Sequence, residues 1–216
     1  MITIADHTLS RLVAQTKPHM ATKDDPETLQ SICFDHDGTW LYAFATNRFT
    51  LAVSRTQVTS GSDKPWAAAV HRMQVTEVEA AIKLLDSKPI DIERTDTQLV
   101  LSGESGSRIA VSLSQPDKEP MSWRKYLLPL LDMDAAAAEM SMTPKYFGAW
   151  KNLPGPVSMW CVGDMKPTLI LAPDFIGMQM PVRTSESHDL TVRRELDAWK
   201  TAKSEAEPAP AVPAAA

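Results

Sequence analysis

The chain is poor in cysteine, has no long apolar run and carries no excess of positive charge. Its 216 residues include only two cysteines, Cys33 and Cys161, and both lie in apolar stretches typical of strands. We therefore expect a reduced protein without disulfides. Because no charged-then-apolar leader precedes Ile2, we also expect a cytoplasmic one. No apolar run approaches the roughly 18 to 20 residues that a membrane-spanning helix requires, so we expect it to be soluble.

The charge balance excludes a simple electrostatic coat on nucleic acid. The formal net charge is -5, and a net negative chain repels a polyanion. Any contact with DNA or RNA must therefore be local or topological. The apolar content of 44% is enough to bury a sizeable core, as one large or two small domains.

Patterns typical of enzymes are weak. The run Asp35-His36-Asp37 could bind a metal, but it abuts Gly38 between two predicted strands, which favours a hairpin turn. The segment Gly103 to Ser107 has serine where a nucleophile elbow needs its last glycine, and it joins two strands. Four histidines lack ligand spacing and are predicted on the surface or in strands: His7, His19, His71 and His188. We expect no enzyme, metal or cofactor; a hydrolase that uses Asp35, His36 and Asp37 remains an alternative.

One arrangement, a strand, an amphipathic helix and then short strands joined by turns, recurs three times within residues 1 to 183. In the first copy Asp6 is the predicted N-cap of a helix that ends near Pro18. The predicted apolar side of that helix is Leu9, Leu12 and Val13. The predicted strands are Ile2 to Ala5, Leu29 to Phe34, Trp40 to Thr46 and Phe49 to Ser54, with Asp37-Gly38 as a hairpin turn.

The second and third copies follow the same order. The second has a helix with Val78, Ala81, Ile82 and Leu85 on one stripe; its strands are Trp66 to Val70, Ile90 to Arg94, Gln98 to Ser102 and Arg108 to Leu113. The third begins near Glu139 to Met142 and has a helix start at Thr143-Pro144. Its helix carries Phe147, Trp150 and Leu153, and its strands are Val157 to Val162, Thr168 to Leu171 and Phe175 to Val182. Residues 184 to 216 differ in composition and are predicted to be an extended, disordered Pro/Ala-rich tail.

Three segments carry a resemblance to a known family. The stretch from Phe34 to Val53 resembles the middle domain of the bacterial DNA polymerase III beta sliding clamp, whose strand reads Ala-Thr-Asp-Gly-His-Arg-Leu-Ala-Val. The run Pro120 to Leu127 resembles the family's Phe-Pro-Asp-Tyr-Arg-Arg-Val-Leu segment, and Met178 to Arg183 resembles its closing Val-Val-Met-Pro-Met-Arg. Order and spacing agree over residues 1 to 183. Asn47-Arg48-Phe49-Thr50 replaces Asp-Gly-His-Arg, and the family's first domain and half of its last have no counterpart.

The resemblance implies an α+β fold, the DNA-clamp fold, in which β-α-β-β-β units place helices along a hole and sheets outside. Residues 1–116 would form a complete two-unit domain, 117–138 a linker and 139–183 a third unit, or half domain. Because the family's ring contains twelve such units, the resemblance implies a homotetrameric ring, with fewer chains as a rival. Unpaired sheet edges would favour such self-association.

The resemblance also implies a function and two sites. The chain would be a non-enzymatic processivity factor that encircles duplex DNA and binds peptides of a replicative polymerase and a clamp loader. Its alternative is a decoy or adaptor that binds such peptides without forming a ring. The implied peptide groove, apolar and rich in adaptable methionine, comprises Leu29, Thr46, Arg48, Phe49, Leu51, Tyr126, Met178, Met180, Pro181, Val182 and Arg183. The DNA-facing candidates on the helices are Arg11, Lys17, Arg72, Lys83, Lys145 and Lys151, whereas Glu77 and Glu79 oppose a uniformly basic lining.

Overall fold

A computed structural model describes residues 1–85, 88–114, 121–134, 141–163 and 165–206, with side chains described up to residue 197. Met1–Pro181 forms one compact unit and Val182–Ala216 another. Within the described residues, no helix combines the length and apolarity needed to cross a membrane. The predicted domain boundaries at 116, 138 and 183 remain a prediction.

The first copy of the repeat folds as one β-α-β-β-β unit. Its elements are β1 (Ile2–Ile4), α1 (Thr8–Thr16), β2 (Ser31–His36), β3 (Trp40–Thr46) and β4 (Thr50–Gly61), with short 3-10 helices at Lys17–His19 and Glu27–Leu29. Leu9, Leu12 and Val13 of α1 are buried, as their helical spacing predicts. The predicted cap is wrong, because His7 is the N-cap, in the left-handed region at φ 57, and no side chain caps the helix. Leu29 precedes the strand, since β2 begins at Ser31.

The second copy repeats the first. It comprises β5 (Trp66–His71), α2 (Val75–Leu85), β6 (Ile90–Arg94), β7 (Gln98–Gly103) and β8 (Arg108–Ser112). The opening strand of each unit pairs with the second strand of the other unit, since β1 pairs with β6 and β5 pairs with β2. The far end of β4 also pairs with β1. In the second unit, the contact that corresponds to this β4–β1 pairing is a hydrogen bond of 2.7 Å from the N–H of Ser114, just after β8, to the carbonyl of Ala69 in β5. The antiparallel sheet, in the order β5-β2-β3-β4-β1-β6-β7-β8, is thus nearly closed.

The third copy is shorter than predicted. Thr143 does precede a helix with proline at its first position, but α4 (Pro144–Phe147) is a single turn, and a 3-10 helix (Gly148–Asn152) follows it. Strands β9 (Ser158–Cys161), β10 (Thr168–Ala172) and β11 (Phe175–Gln179) then form a meander. Of the predicted opening strand, residues 139 and 140 lie outside the described part, and Ser141 and Met142 are not in a strand.

Two segments for which no helix was predicted contain helices. The predicted linker includes α3 (Arg124–Leu131), although its residues 117–120 and 135–138 lie outside the described part. The prediction of a disordered tail is wrong for α5 (Glu186–Ala206), a helix of 21 residues. Residues 207–216 lie outside the described residues.

The buried core has separate clusters on the two faces of the sheet. The large one, under α1 and α2, contains Leu12, Val78, Leu99 and the other inward apolar residues of the first two units. A second cluster lies under α3 and includes Trp123 and Leu127. We call the side of α1, α2 and the 3-10 helix Gly148–Asn152 the helix face, and the side of α3 the outer face.

Candidate functional site

The third unit joins the first by strand pairing, and this junction positions the candidate site. Strand β11 pairs antiparallel with the first half of β4, from Phe175 opposite Ser54 to Gln179 opposite Thr50. The ladder extends at both ends, because the Met180 N–H donates to the Phe49 carbonyl at 2.8 Å and the Arg55 N–H to the Asp174 carbonyl at 2.9 Å. The pairing of β4 with β11 thus makes one continuous surface of the two units.

The helix face of this junction is polar yet buried. His19 Nδ1 lies 2.9 Å from Thr50 Oγ1, and the Trp150 indole N–H donates to Gln179 Oε1 at 2.8 Å. The ring centroids of His19 and Trp150 lie 4.2 Å apart, with the planes tilted by 44°. Trp150 fits closely over Gly177, where an added Cβ would lie 2.6 Å from its ring. His19 was predicted on the surface or in a strand, but it lies in a 3-10 helix and is fully buried.

Burial sets the protonation state of His19. Desolvation of the charged ring lowers its pKa from 6.5 to about 4, and the backbone of Ala149 only partly opposes this. The imidazole is therefore neutral near pH 7.

The outer face of the same junction is apolar. Leu51 lies directly across from Met178, and Val53 across from Ile176. These side chains join a cluster with Trp123 and Leu127 of α3. Leu51 is only 1% exposed, so this part of the implied groove is already filled by the protein itself.

Arg124 fixes α3 to the outer face. Its guanidinium forms ion pairs with Asp35 and, at 3.6 Å, with Asp37, and it stacks over Tyr42 at 4.8 Å. Burial acts to raise the pKa of Asp37, but hydrogen bonds from the backbone of Trp40 and Thr39, with smaller help from Tyr42 and Arg124, leave it below its usual value. The Asp37 carboxylate is therefore engaged as an anion.

The Asp35-His36-Asp37 run forms the predicted hairpin. Asp37 Oδ1 accepts the N–H groups of Thr39 and Trp40 at 3.0 and 2.8 Å and closes the turn between β2 and β3. His36 alternates to the opposite face of β2 and is buried, with Nδ1 3.3 Å from the Lys64 carbonyl oxygen. The three side chains do not converge. Among the described residues, no group of three metal-binding side chains occurs.

An open cleft of about 510 Å³ lies on the outer face beside α3. Its apolar lining includes Val53, Leu128, Leu171 and Ile176, and its rim carries the Arg55–Asp174 ion pair at 3.5 Å. The volume is within the range of roughly 300 to 1,000 Å³ typical of ligand pockets. None of the predicted groove residues lines this cleft. Sequence reasoning missed it because its roof, α3, lies in the predicted linker.

The turn before β4 has a left-handed backbone where the resembled segment of the family has glycine. Arg48 stands at that place and adopts φ 75, a left-handed conformation that non-glycine residues reach at some cost. Asn47 Oδ1 holds the turn by accepting the N–H groups of Phe49 and Thr50 at 3.0 and 2.8 Å. Phe49 is half exposed and stacks on Tyr146 at 5.3 Å.

The other predicted groove residues are spread over several surroundings. Thr46 is buried and its hydroxyl donates to the Thr50 carbonyl at 2.7 Å, whereas Tyr126 of α3 is exposed. Leu29, Met180 and Pro181 are half-buried. Val182 and Arg183 are exposed and belong to the second compact unit. The structure brings Leu51 and Met178 together; the role of the whole set in peptide binding remains a prediction.

The predicted DNA-facing cations differ in how far the protein itself engages them. Lys17 forms an ion pair of 2.5 Å with Glu79 of α2. Arg11 turns toward β4, where it donates to the Arg55 carbonyl at 2.9 Å. Arg72 is half-buried, whereas three cations have exposed side chains: Lys83, Lys145 and Lys151. Their contact with DNA remains a prediction.

Comparison with known proteins identifies the fold. No protein-family profile matches the chain, and no curated protein matches its sequence significantly. Solved structures do match. A DNA polymerase sliding clamp from Bacillus subtilis has a TM-score of 0.66 at 20% identity, over 85% of this chain and 64% of that one. A putative DNA polymerase III beta subunit from Eubacterium rectale has a TM-score of 0.69 at 15% identity, over 85% and 65%.

The DNA polymerase III subunit beta from Pseudomonas aeruginosa gives the same result, with a TM-score of 0.67 at 14% identity over 84% of this chain and 66% of that one. The chain thus spans just under two thirds of these proteins. The resemblance inferred from three sequence segments is confirmed at the level of the fold. This chain has, in shortened form, the fold of the bacterial DNA polymerase III beta sliding clamps.

Proposed function

We propose that this protein is a DNA sliding clamp, which encircles duplex DNA as a ring of several copies and tethers a polymerase through a bound peptide. The observation that carries the proposal is the clamp fold itself, with the helices of successive units on one face of a continuous sheet. It works without a catalytic step, in the cytoplasm. Because retention is topological, a net charge of -5 is no obstacle to it.

The ring needs more than one chain. The protein spans just under two thirds of the clamps that it matches, and it contributes three units. If closure takes twelve units, as in the family, four chains form the ring. The exposed lysines of the helix face, Lys83 and Lys151 among them, would then offset the phosphates of the enclosed duplex.

The outer face is the proposed peptide site. The pairs Leu51–Met178 and Val53–Ile176 lead from the implied groove directly into the cleft beside α3. Apolar side chains of a short polymerase or clamp-loader peptide would enter this cleft, where Leu128 and its neighbours exclude water. The charged rim would contact the peptide backbone.

Encirclement is tested with DNA of two topologies. Protein loaded on nicked circular DNA should stay bound through a gel-filtration column at high salt and should leave once the circle is cut by a restriction enzyme. Loss at equal rates from circular and linear DNA would contradict encirclement.

Peptide binding is tested by fluorescence anisotropy with a labelled, polymerase-derived peptide that carries Leu and Phe. We expect Leu128→Glu, which places a charge in the cleft, and the double variant Met180→Ala with Pro181→Ala each to weaken binding about tenfold or more. The matched control is Leu84→Glu on α2, which is 74% exposed on the helix face. If Leu84→Glu weakens binding as much as Leu128→Glu, the outer face is not the site.

One observation favours the alternative, a decoy or adaptor that does not encircle DNA. Lys17 and Arg11, two of the cations expected to face DNA, are engaged by Glu79 and by the Arg55 carbonyl. A decoy would bind the peptide with the same affinity but would remain monomeric or dimeric. Light scattering on a size-exclusion column separates the two, because a ring must have a defined mass of several times 23.8 kDa.

A further inference from the structure

Strand β8 is the last strand of the second unit, and one of its edges is open. Two hydrogen bonds show which residues of β8 bond to β7: the Gly103 N–H donates to the Ser107 carbonyl at 3.1 Å, and the Leu113 N–H donates to the Thr97 carbonyl at 2.9 Å. The backbone groups of odd-numbered residues therefore point toward β7. The N–H and carbonyl groups of Arg108, Ala110 and Ser112 therefore point away from β7. Among the described residues, no strand pairs with this edge.

The chain shows how such an edge is used elsewhere. Strands β4, β8 and β11 each close a unit as its last strand, and β4 and β11 pair with each other. That pairing is antiparallel and centred on Ala52 opposite Gly177, each the third residue after its hairpin turn. The equivalent residue of β8 is Ile109. Like Ala52 and Gly177, it lies on the helix face, where it packs against the core beside α2.

The two ends of the three-unit body are unlike. At one end a last strand, β8, has an open edge. At the other, β9 is a second strand, and in the complete domain second strands pair with opening strands, as β2 does with β5 and β6 with β1. This chain contains a pairing of two last strands, β4 with β11, and pairings of a second strand with an opening strand. Joining β8 head to tail with β9 of another copy would pair a last strand with a second strand and would reproduce neither. Within any copy β4 and β11 are already paired, so only β8 is left to pair with β8.

We propose that β8 is a self-association edge, which pairs antiparallel with β8 of a second copy about a two-fold axis at Ile109. In this register Arg108 lies opposite Ala110 of the second copy, and these two residues exchange the hydrogen bonds that each edge now lacks. The two arginines lie diagonally across the axis, and each is already compensated by its own Glu93 at 3.0 Å. The pairing buries Ile109 against its copy, extends the sheet and removes an edge that would otherwise invite aggregation.

The biological meaning of this contact rests on the proposed function, a ring of several copies. Within that ring, the contact determines which ends of neighbouring copies meet. The two-fold contact at β8 joins copies in pairs, and a second contact at the other end of the body would then join two pairs into a dimer of dimers. This order differs from a head-to-tail arrangement of four copies, in which β8 would meet β9.

The first test is the mass of the full chain in solution, measured without DNA. Ala110→Pro removes an N–H that points to the open edge and leaves the bonds to β7 intact. We expect the wild type at four times 23.8 kDa and the proline variant at half that mass. Ala110→Val keeps the N–H and should behave as the wild type. A proline variant with the full wild-type mass, or a wild type that is monomeric at micromolar concentration, overturns the proposal.

The second test does not depend on how the proline variant folds. At a non-hydrogen-bonded antiparallel pair the Cα atoms are about 4.5 Å apart, close enough for a disulfide across the axis. In a Cys161→Ser background, Ile109→Cys should give a covalent dimer on mild oxidation, whereas Ser105→Cys at the hairpin tip should not. Equal yields from the two variants, or none from Ile109→Cys, refute β8 pairing. Failure of DNA retention with this dimer intact would count against the sliding clamp alone.

Discussion

The two faces of the β4–β11 junction are built from opposite chemistry. On the helix face, buried polar groups meet in fixed pairs: His19 with Thr50, and Trp150 with Gln179. On the outer face, the same two strands present only apolar side chains, Leu51 and Val53 of β4 and Ile176 and Met178 of β11. These side chains pack under α3. Hydrogen bonds are directional and a buried unpaired polar group is costly, whereas apolar contacts tolerate rearrangement.

The difference assigns a task to each face. The helix face fixes the position of the third unit on the first, because the Trp150 ring lies 4.2 Å from His19 and the Asn152 side chain donates to the Ala14 carbonyl at 2.7 Å, and a shift of the third unit would break both contacts. The outer face, with Met178 and the open cleft beside α3, is the side where the proposed function needs adaptable side chains. The following variants test whether structural specificity and adaptability are divided in this way.

Removing Trp150 should have the largest effect. Trp150 is 8% exposed, contacts the His19 ring and covers Gly177, so Trp150→Ala should lower the free energy of unfolding by about 3 to 5 kcal/mol. Urea unfolding followed by circular dichroism measures this. The matched control is Trp160→Ala in β9, where the ring is 43% exposed and the expected loss is below about 1 kcal/mol. Equal losses would mean that the helix face has no special role.

Acidification should act through His19. Its pKa is about 4 in the folded protein and near 6.5 when unfolded. Above pH 6.5 both states are neutral and nothing is lost; below it, the unfolded state alone takes up the proton. Stability should therefore fall as the pH drops from about 6.5 to 4, by about 3 kcal/mol in total.

The control for this prediction is a pair of glutamine variants. His19→Gln should flatten the pH dependence of the urea midpoint between pH 6.5 and 4, while His7→Gln, at an exposed position, should leave it as in the wild type. A wild-type midpoint that stays constant across this interval would contradict a buried neutral His19.

Sequence patterns predicted the apolar framework but not this polar junction. The strands, the stripe of α1 and the Asp37-Gly38 turn follow from local periodicity and turn chemistry, which act over a few residues. The placement of His19 against Trp150 joins residues 131 positions apart, and no local pattern encodes it. Periodicity also failed for α4, since Pro144 to Leu153 has helical spacing but becomes a single turn and a 3-10 helix that seat Trp150 on Gly177.

The implied groove remains a prediction. The resemblance assigned both Leu51 and Met178 to it, and the structure places the two directly opposite each other. The cleft could not be predicted in the same way. It depends on how α3 packs, and α3 contains Pro129, a residue that argues against a helix interior on propensity alone.

A methyl group at Gly177 should strain the helix face. Its Cβ would lie 2.6 Å from the Trp150 ring, so Gly177→Ala should cost about 1 to 3 kcal/mol in a packed site. In the Trp150→Ala background only the Leu51 carbonyl oxygen stays close to the added Cβ, at 3.0 Å, and the same change should cost less. Gly148→Ala is the matched control, because nothing lies within 4 Å of its added Cβ. Additive effects of the two changes would rule out direct contact as the cause.

Breaking the outer face should cost least and should remain local. Arg124→Met keeps an unbranched apolar stem but removes the guanidinium, and with it the ion pairs to Asp35 and Asp37 and the contact over Tyr42. Because the Arg124 side chain is 32% exposed, solvent weakens these pairs, and the expected loss is about 1 kcal/mol. Lys125→Met, at the exposed neighbouring position, should cost less than about 0.5 kcal/mol.

Hydrogen exchange resolves where that loss falls. In Arg124→Met the amides of α3 should exchange faster while those of β11 keep their protection, because the β4–β11 strand pairing and the contact of Trp150 with His19 still hold the third unit on β4. Peptide affinity should change with α3, since this helix covers the cleft. If β11 loses protection together with α3, the two faces act as one cooperative unit, and the outer face cannot adapt independently of the junction that carries it.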